Sequence, residues 1–154
     1  MKRTSERNEM AATVETGSNP YLVDTSALLA LIEDEAGADR VEYVLKQATT
    51  LVPWPVLLEM HYITLHEEGM AEADRRYALI KQLNVKILWG MDESIVLTAA
   101  RLKAEHRISL ADAIIAAFAL RGDAVLIHKD PEFDALTGLL QMEALPYKSS
   151  VATT

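Results

Sequence analysis

Residues 21–32 read YLVDTSALLALI, and this stretch decides the fold. The apolar run Tyr21-Leu22-Val23 stops abruptly at Asp24-Thr25-Ser26, and Ala27 to Glu33 then has a helical look. A short apolar run closed by a polar turn reads as a buried strand that feeds a helix. In open parallel sheets, ligands bind just beyond the carboxyl ends of the strands. Asp24 therefore stands where chemistry tends to sit. Its other reading is structural, with Asp24 or Ser26 capping the helix.

The alternation continues downstream. Ala38 to Gln47 carries Val41, Val44 and Leu45 at helical spacing, and Leu51-Val52 is a second short strand. Pro53 and Pro55 open a helix over about Val56 to Glu68, since a missing N–H costs nothing in the first turn. Gly69 ends it. A further helix runs from Ala71 to Leu83, a strand from Val85 to Trp89, and an amphipathic helix from Asp92 to Arg107. Ser109 opens a very apolar helix that ends at Arg121-Gly122, with the glycine as its C-cap. Ala124 to Ile127 is a buried strand ending in His128-Lys129-Asp130-Pro131, and Met142 to Leu145 is a last short strand. Strands separated by helices predict an α/β sandwich with a parallel sheet.

The bulk numbers set limits on this reading. At 154 residues the chain fits one domain, predicted over 21–147. Residues 1–20 read as a disordered leader with no secretory h-region, and 148–154 as a loose tail. No apolar stretch approaches a membrane span, and a cytoplasmic location is the simplest fit. The absence of cysteine removes disulfides, thiolate metal sites and cysteine nucleophiles. A net charge of −8 argues against a broad nucleic-acid-binding surface. It argues less against a metal-dependent nuclease, whose bound cations reverse the local sign.

Three more carboxylates stand in unusual places. Glu59 has Pro55, Val56, Tyr62 and Ile63 three and four residues away, and a carboxylate on an apolar helix face is costly unless paired or coordinated. Asp112 is the one polar side chain in LADAIIAAFAL, residues 110–120, although Ser109 to Asp112 also fits a capping box. Asp130 repeats the pattern of Asp24 at the end of a strand, with an Asp-Pro turn as the alternative. Asp134, one turn on, is a weaker candidate. One pocket could collect two acids from strand ends and two from helices. Such an oxygen-only set suits Mg²⁺ or Mn²⁺ and phosphodiester hydrolysis. His61 and His66 lack the spacing of a zinc helix, and no Walker loop, dinucleotide fingerprint or serine elbow is present. Trp54 and Trp89 read as packing residues rather than base-stacking platforms.

Together VDTSALLALI, the helix with LLEM, ISLADAIIAAFAL and VLIHKDPEF resemble PIN-domain nucleases, and among them the VapC-type toxins of toxin–antitoxin pairs. The resemblance spans Tyr21 to about Pro146. It implies a three-layer α/β/α sandwich with a central, mostly parallel sheet, and a Mg²⁺- or Mn²⁺-dependent endoribonuclease acting on RNA. It also implies frequent homodimers and a cognate antitoxin that brings a basic residue into the acidic pocket. The family's acidic quartet, catalytic and metal-binding, falls on Asp24, Glu59, Asp112 and Asp130, and its supporting hydroxyl on Thr25 or Ser26. His128 stands where many relatives carry Thr or Ser, and it either contacts phosphate or fills space. The leader is longer than the family needs. Two rival readings are a non-catalytic module that binds RNA or protein, and a haloacid-dehalogenase-type phosphatase. The latter wants an aspartate where Ser26 stands.

Overall fold

In the computed structural model, residues 18–149 are described; most of the expected leader and the end of the tail, 150–154, lie outside them. Five strands form one sheet in which every pairing is parallel: β1 (Tyr21–Val23), β2 (Thr50–Pro53), β3 (Lys86–Leu88), β4 (Val125–His128) and β5 (Met142–Ala144). The spatial order is β3-β2-β1-β4-β5. A mostly parallel sheet is thus wholly parallel.

Two helices lie in each of the first three crossovers. They are α1 (Thr25–Ile32) and α2 (Ala38–Gln47), α3 (Trp54–Glu68) and α4 (Met70–Gln82), then α5 (Glu93–Glu105) and α6 (Leu110–Arg121). Right-handed crossovers put α1 to α4 on one face, because the chain steps outward from β1 to β2 to β3. The return from β3 to β4 carries α5 and α6 over the other face. This makes the three-layer α/β/α sandwich. The strand order reverses between β1 and β4, and such a switch point opens a crevice at the carboxyl edge. The core lies on both sides of β1 and β4, where Leu22, Val23, Leu126 and Ile127 are fully buried against Leu28, Val56, Ile115 and Phe133.

Several element ends differ from the sequence reading, each for a local reason. α1 starts at Thr25 rather than Ala27 because the Asp24 carboxylate accepts the Ser26 N–H as its N-cap. α3 starts at Trp54, with Pro55 inside its first turn. α5 ends at Glu105, and β4 extends through His128. An unforeseen 3₁₀ helix, Pro131–Leu136, is capped by Asp130 and buries Phe133 and Leu136. Gly122 does cap α6, but at φ −89°, and the left-handed residue is Asp123 at φ 51°.

The edge strand β5 is only three residues long, and a bidentate pair fastens it. Arg40 on α2 donates from Nε and Nη2 to the two Glu143 oxygens, both at 2.8 Å, and its Nη2 also reaches the Tyr21 hydroxyl. The Arg40 side chain is 41% exposed, so water screens the attraction. Arg40→Ala is expected to cost about 1 kcal/mol or less in urea unfolding. A cost several times larger would show that the pair, rather than the sheet hydrogen bonds, holds β5.

Candidate metal centre

Asp24 follows β1 directly and is 2% exposed. Its Oδ2 accepts both the backbone N–H and the hydroxyl of Ser26. The Ser26 Oγ in turn accepts the Lys129 N–H at 2.8 Å, which ties the end of β1 to the loop after β4. The other oxygen, Oδ1, is buried without a hydrogen-bond partner. An orphaned buried carboxylate oxygen is costly, and a coordinated cation is one way to relieve it.

Three more acids face the same crevice. Glu59 on α3 is partly buried, and its Oε1 accepts the Thr25 hydroxyl at 2.7 Å. Asp112 in the first turn of α6 is 5% exposed, and its N–H donates to Ser109 Oγ at 3.1 Å. Asp130 follows β4, and its Oδ1 accepts the Glu132 N–H. Oxygens of Asp24, Glu59 and Asp112 lie within 4.8 Å of one another, and so do oxygens of Asp112, Asp130 and Glu132. The four predicted acids therefore meet at one place, with Asp112 common to both groups. Asp24 and Ser109 act as the helix caps the sequence offered, and the turn expected at Asp130-Pro131 is the capped start of the 3₁₀ helix. One carboxylate oxygen of Asp24 does the capping and leaves the other free.

Glu132 is the fifth acid of the crevice, and sequence reasoning missed it. Its signal was faint, since two residues after Asp130 it looks like an ordinary exposed turn residue. Asp134 lies outside the cluster, and its Oδ1 accepts the Tyr147 hydroxyl. His128 is 1% exposed, packs on Phe133 at 5.0 Å between ring centroids, and accepts the Asp130 N–H at Nδ1. Burial holds its pKa below the usual range. It fills space and cannot reach a phosphate. Trp89 departs from the packing role expected of it: it is 57% exposed and lines an apolar groove with Trp54, Leu58, His61 and Tyr77.

Crowding shows in the protonation. Desolvation chiefly, helped by Glu59 and Asp130 and resisted by the Ser26 bonds, pushes Asp24 up to about 7. Asp112 is raised well above the carboxylate range, by burial first and then by Glu132, Asp24 and Asp130. Burial also raises Glu59, against the pull of Thr25. Buried like charges favour protons until a cation replaces them. The donor set fits a hard divalent cation, being all oxygen.

A family model for the PIN domain matches residues 21–139. The chain belongs to the PIN-domain family. Solved structures agree with this fold. VapBC2 of Rickettsia felis, bound to a DNA fragment from its promoter, is 17% identical with a TM-score of 0.67, over 82% of this chain and 98% of that one. VapBC-1 of nontypeable Haemophilus influenzae is 25% identical with a TM-score of 0.64, over 80% and 96%. VapC20 of Mycobacterium tuberculosis, a sarcin-ricin-loop-cleaving toxin, is 18% identical with a TM-score of 0.63, over 76% and 95%. Comparison with curated protein sequences finds no match. Among the described residues of this PIN domain, no helix is long and apolar enough to cross a membrane.

Proposed function

We propose that this PIN domain is a Mg²⁺- or Mn²⁺-dependent endoribonuclease, the toxin of a toxin–antitoxin pair, acting in the cytoplasm. The observation that carries the reading is the buried, partnerless Oδ1 of Asp24 beside the carboxylates of Glu59 and Asp112. The similarity to VapC20, itself a toxin that cleaves the sarcin-ricin loop, supports RNA as the substrate.

Asp24, Glu59, Asp112 and Asp130 would hold the cation, with Glu132 at the rim. A bound divalent ion would supply Lewis acidity and a water of lowered pKa. The chain's own contribution is placement. Ser26 fixes the rotamer of Asp24, Thr25 fixes Glu59, and the Ser109 cap fixes the turn that carries Asp112.

An antitoxin with a basic side chain fits the open cleft of about 390 Å³ beside Asp130, where Glu67 has no ion-pair partner among the described residues, while Glu33 is paired with Arg76 and Glu35 with Lys129 and Lys148. A homodimer is part of the same reading, supported by Leu58 and Tyr62, which lie one turn apart on α3 and are both more than half exposed.

The test is cleavage of RNA by the purified chain in Mn²⁺ or Mg²⁺, with EDTA and Asp24→Asn as controls. Activity in Mn²⁺ that vanishes in both controls is the expected result. Activity that survives Asp24→Asn would remove the assignment. A chain that neither cleaves RNA nor binds Mn²⁺ in a calorimetric titration is the non-catalytic module instead.

A further inference from the structure

The acid cluster leaves a problem of charge. A strand of RNA brings a phosphate at every nucleotide, and the metal centre can neutralise only those at the site of cleavage. The flanking phosphates approach a chain of net charge −8. The cations nearest Asp130 are already engaged: Lys129 and Lys148 both bind Glu35, and the Lys129 side chain is 5% exposed. Arg40, Lys46, Arg75 and Arg76 are held in ion pairs elsewhere.

One corner differs. The last turns of α5 and the link to α6 read RLKAEHR over 101–107, three cations against one acid. Arg101, Lys103 and Arg107 are exposed and form no ion pair among the described residues. Lys103 spends its ammonium on the turn itself, donating to the Ile108 carbonyl at 2.9 Å. That bond and the buried Ile108 set the entry to α6, where Ser109 caps the turn bearing Asp112. Asp112 lies five positions beyond Arg107, at most about 18 Å even if fully extended, and the helical turn shortens this further. Arg101 lies about one turn back along α5. Arg107 is thus the free positive charge closest along the chain to an acid of the metal centre, and Arg101 stands on the adjoining end of α5, whereas the unpaired Arg121 sits at the opposite end of α6 from Asp112.

We infer that the α5–α6 corner, through Arg101 and Arg107, is the phosphate-binding surface that seats single-stranded RNA beside the acid cluster. The inference rests on the nuclease reading above. Arginine suits the task, since its planar fork matches phosphate oxygens. Contacts to phosphate position a nucleic acid without reading its sequence, so the corner sets where the strand lies and leaves the choice of cleavage site to other residues.

The experiment compares the full chain with Arg101→Gln/Arg107→Gln and with a control, Lys81→Gln/Lys86→Gln, which removes two exposed cations from α4 and β3. Binding of a fluorescent ten-nucleotide oligouridylate is followed in EDTA against salt concentration, and cleavage is then measured in Mn²⁺. Each phosphate contact contributes about −0.7 to the slope of log K against log salt for a single strand. Loss of both arginines is expected to flatten the slope by about 1.4 and to weaken binding roughly tenfold at 0.15 M salt. KM should rise in proportion with kcat unchanged, the mark of a contact made equally before and during reaction. The control should match the unaltered chain. If the arginine variant keeps the full slope and KM while metal-dependent cleavage persists, the corner is idle and the nuclease reading stands without it. If the unaltered chain binds RNA with an arginine-dependent slope but never cleaves it, the corner is upheld and the nuclease reading falls. No RNA binding by the unaltered chain overturns both.

Discussion

Asp112→Asn is expected to lower metal-dependent RNA cleavage by about a thousandfold or more while making the metal-free chain more stable. The first effect follows from position. Asp112 supplies an oxygen to both groups of acids, so its loss disturbs the whole centre rather than one rim. A catalytic cation stabilises transition-state charge by several kcal/mol, and each ~1.4 kcal/mol is a factor of ten in rate. The second effect has the opposite sign because the carboxylate is buried among other carboxylates. Asparagine keeps the shape of the side chain, and the backbone N–H that Ser109 caps is untouched. A kinetic assay in Mn²⁺ and a melt in EDTA read the two effects separately. Cleavage within tenfold of the unaltered chain would remove Asp112 from the metal centre.

Stability of the metal-free chain should fall as pH rises from about 7 to 9, and Mn²⁺ should reverse the trend. The folded chain holds Asp24 protonated up to about 7, and Asp112 to higher pH, while an unfolded aspartate ionises near 3.8. Between the unfolded value and each raised one the folded state binds more protons than the unfolded state, so stability drains away over that interval, with most of Asp24's share gone by pH 7 and Asp112 carrying the fall above it. Glu35, Glu72 and Glu143, which are shifted downward, have the opposite dependence, but theirs is complete in mild acid. The lowered pKa of His128 acts against the trend only below the usual histidine range. Above pH 7 the acid cluster is left to dominate. A divalent ion needs the ionised carboxylates, so its stabilisation grows over the same interval. At a hundred times its Kd it is worth about 2.7 kcal/mol, or roughly 5–10 °C in Tm for a chain of this size. A metal-free Tm that stays level between pH 7 and 9 would mean that the acids are not held protonated by the fold.

Much of this was legible in the sequence because the relevant signals are local. The strand of Tyr21 to Val23 ends in a charge, and an apolar run cannot continue through an aspartate without a reason. Asp112 is conspicuous inside eleven otherwise apolar residues, and burial makes its position costly. Glu59 was legible in part: its neighbours Pro55 and Val56 are buried as expected, whereas Tyr62 is largely exposed. The acid cluster is wider than the expected quartet. Glu132 enters because the 3₁₀ helix turns it back toward Asp112, and Pro131 gave notice of a turn without its direction. His128 was ambiguous because its role depends on Phe133 and the Asp130 N–H, contacts that only the folded chain supplies. The exposure of Trp89 depends likewise on how little of the chain covers the end of β3.

The bond from the Lys129 N–H to Ser26 joins residues 103 apart in sequence, across the central pairing of β1 with β4. Contacts of such separation form late, after the loop between them has closed. During synthesis, Asp24 leaves the ribosome before its partners Asp112 and Asp130. Until β4 emerges, the nascent chain carries only isolated acids and no crevice. A chain broken anywhere between Glu59 and Asp112 would lack the assembled acid cluster. The acid cluster therefore exists only once β4 has joined the sheet beside β1.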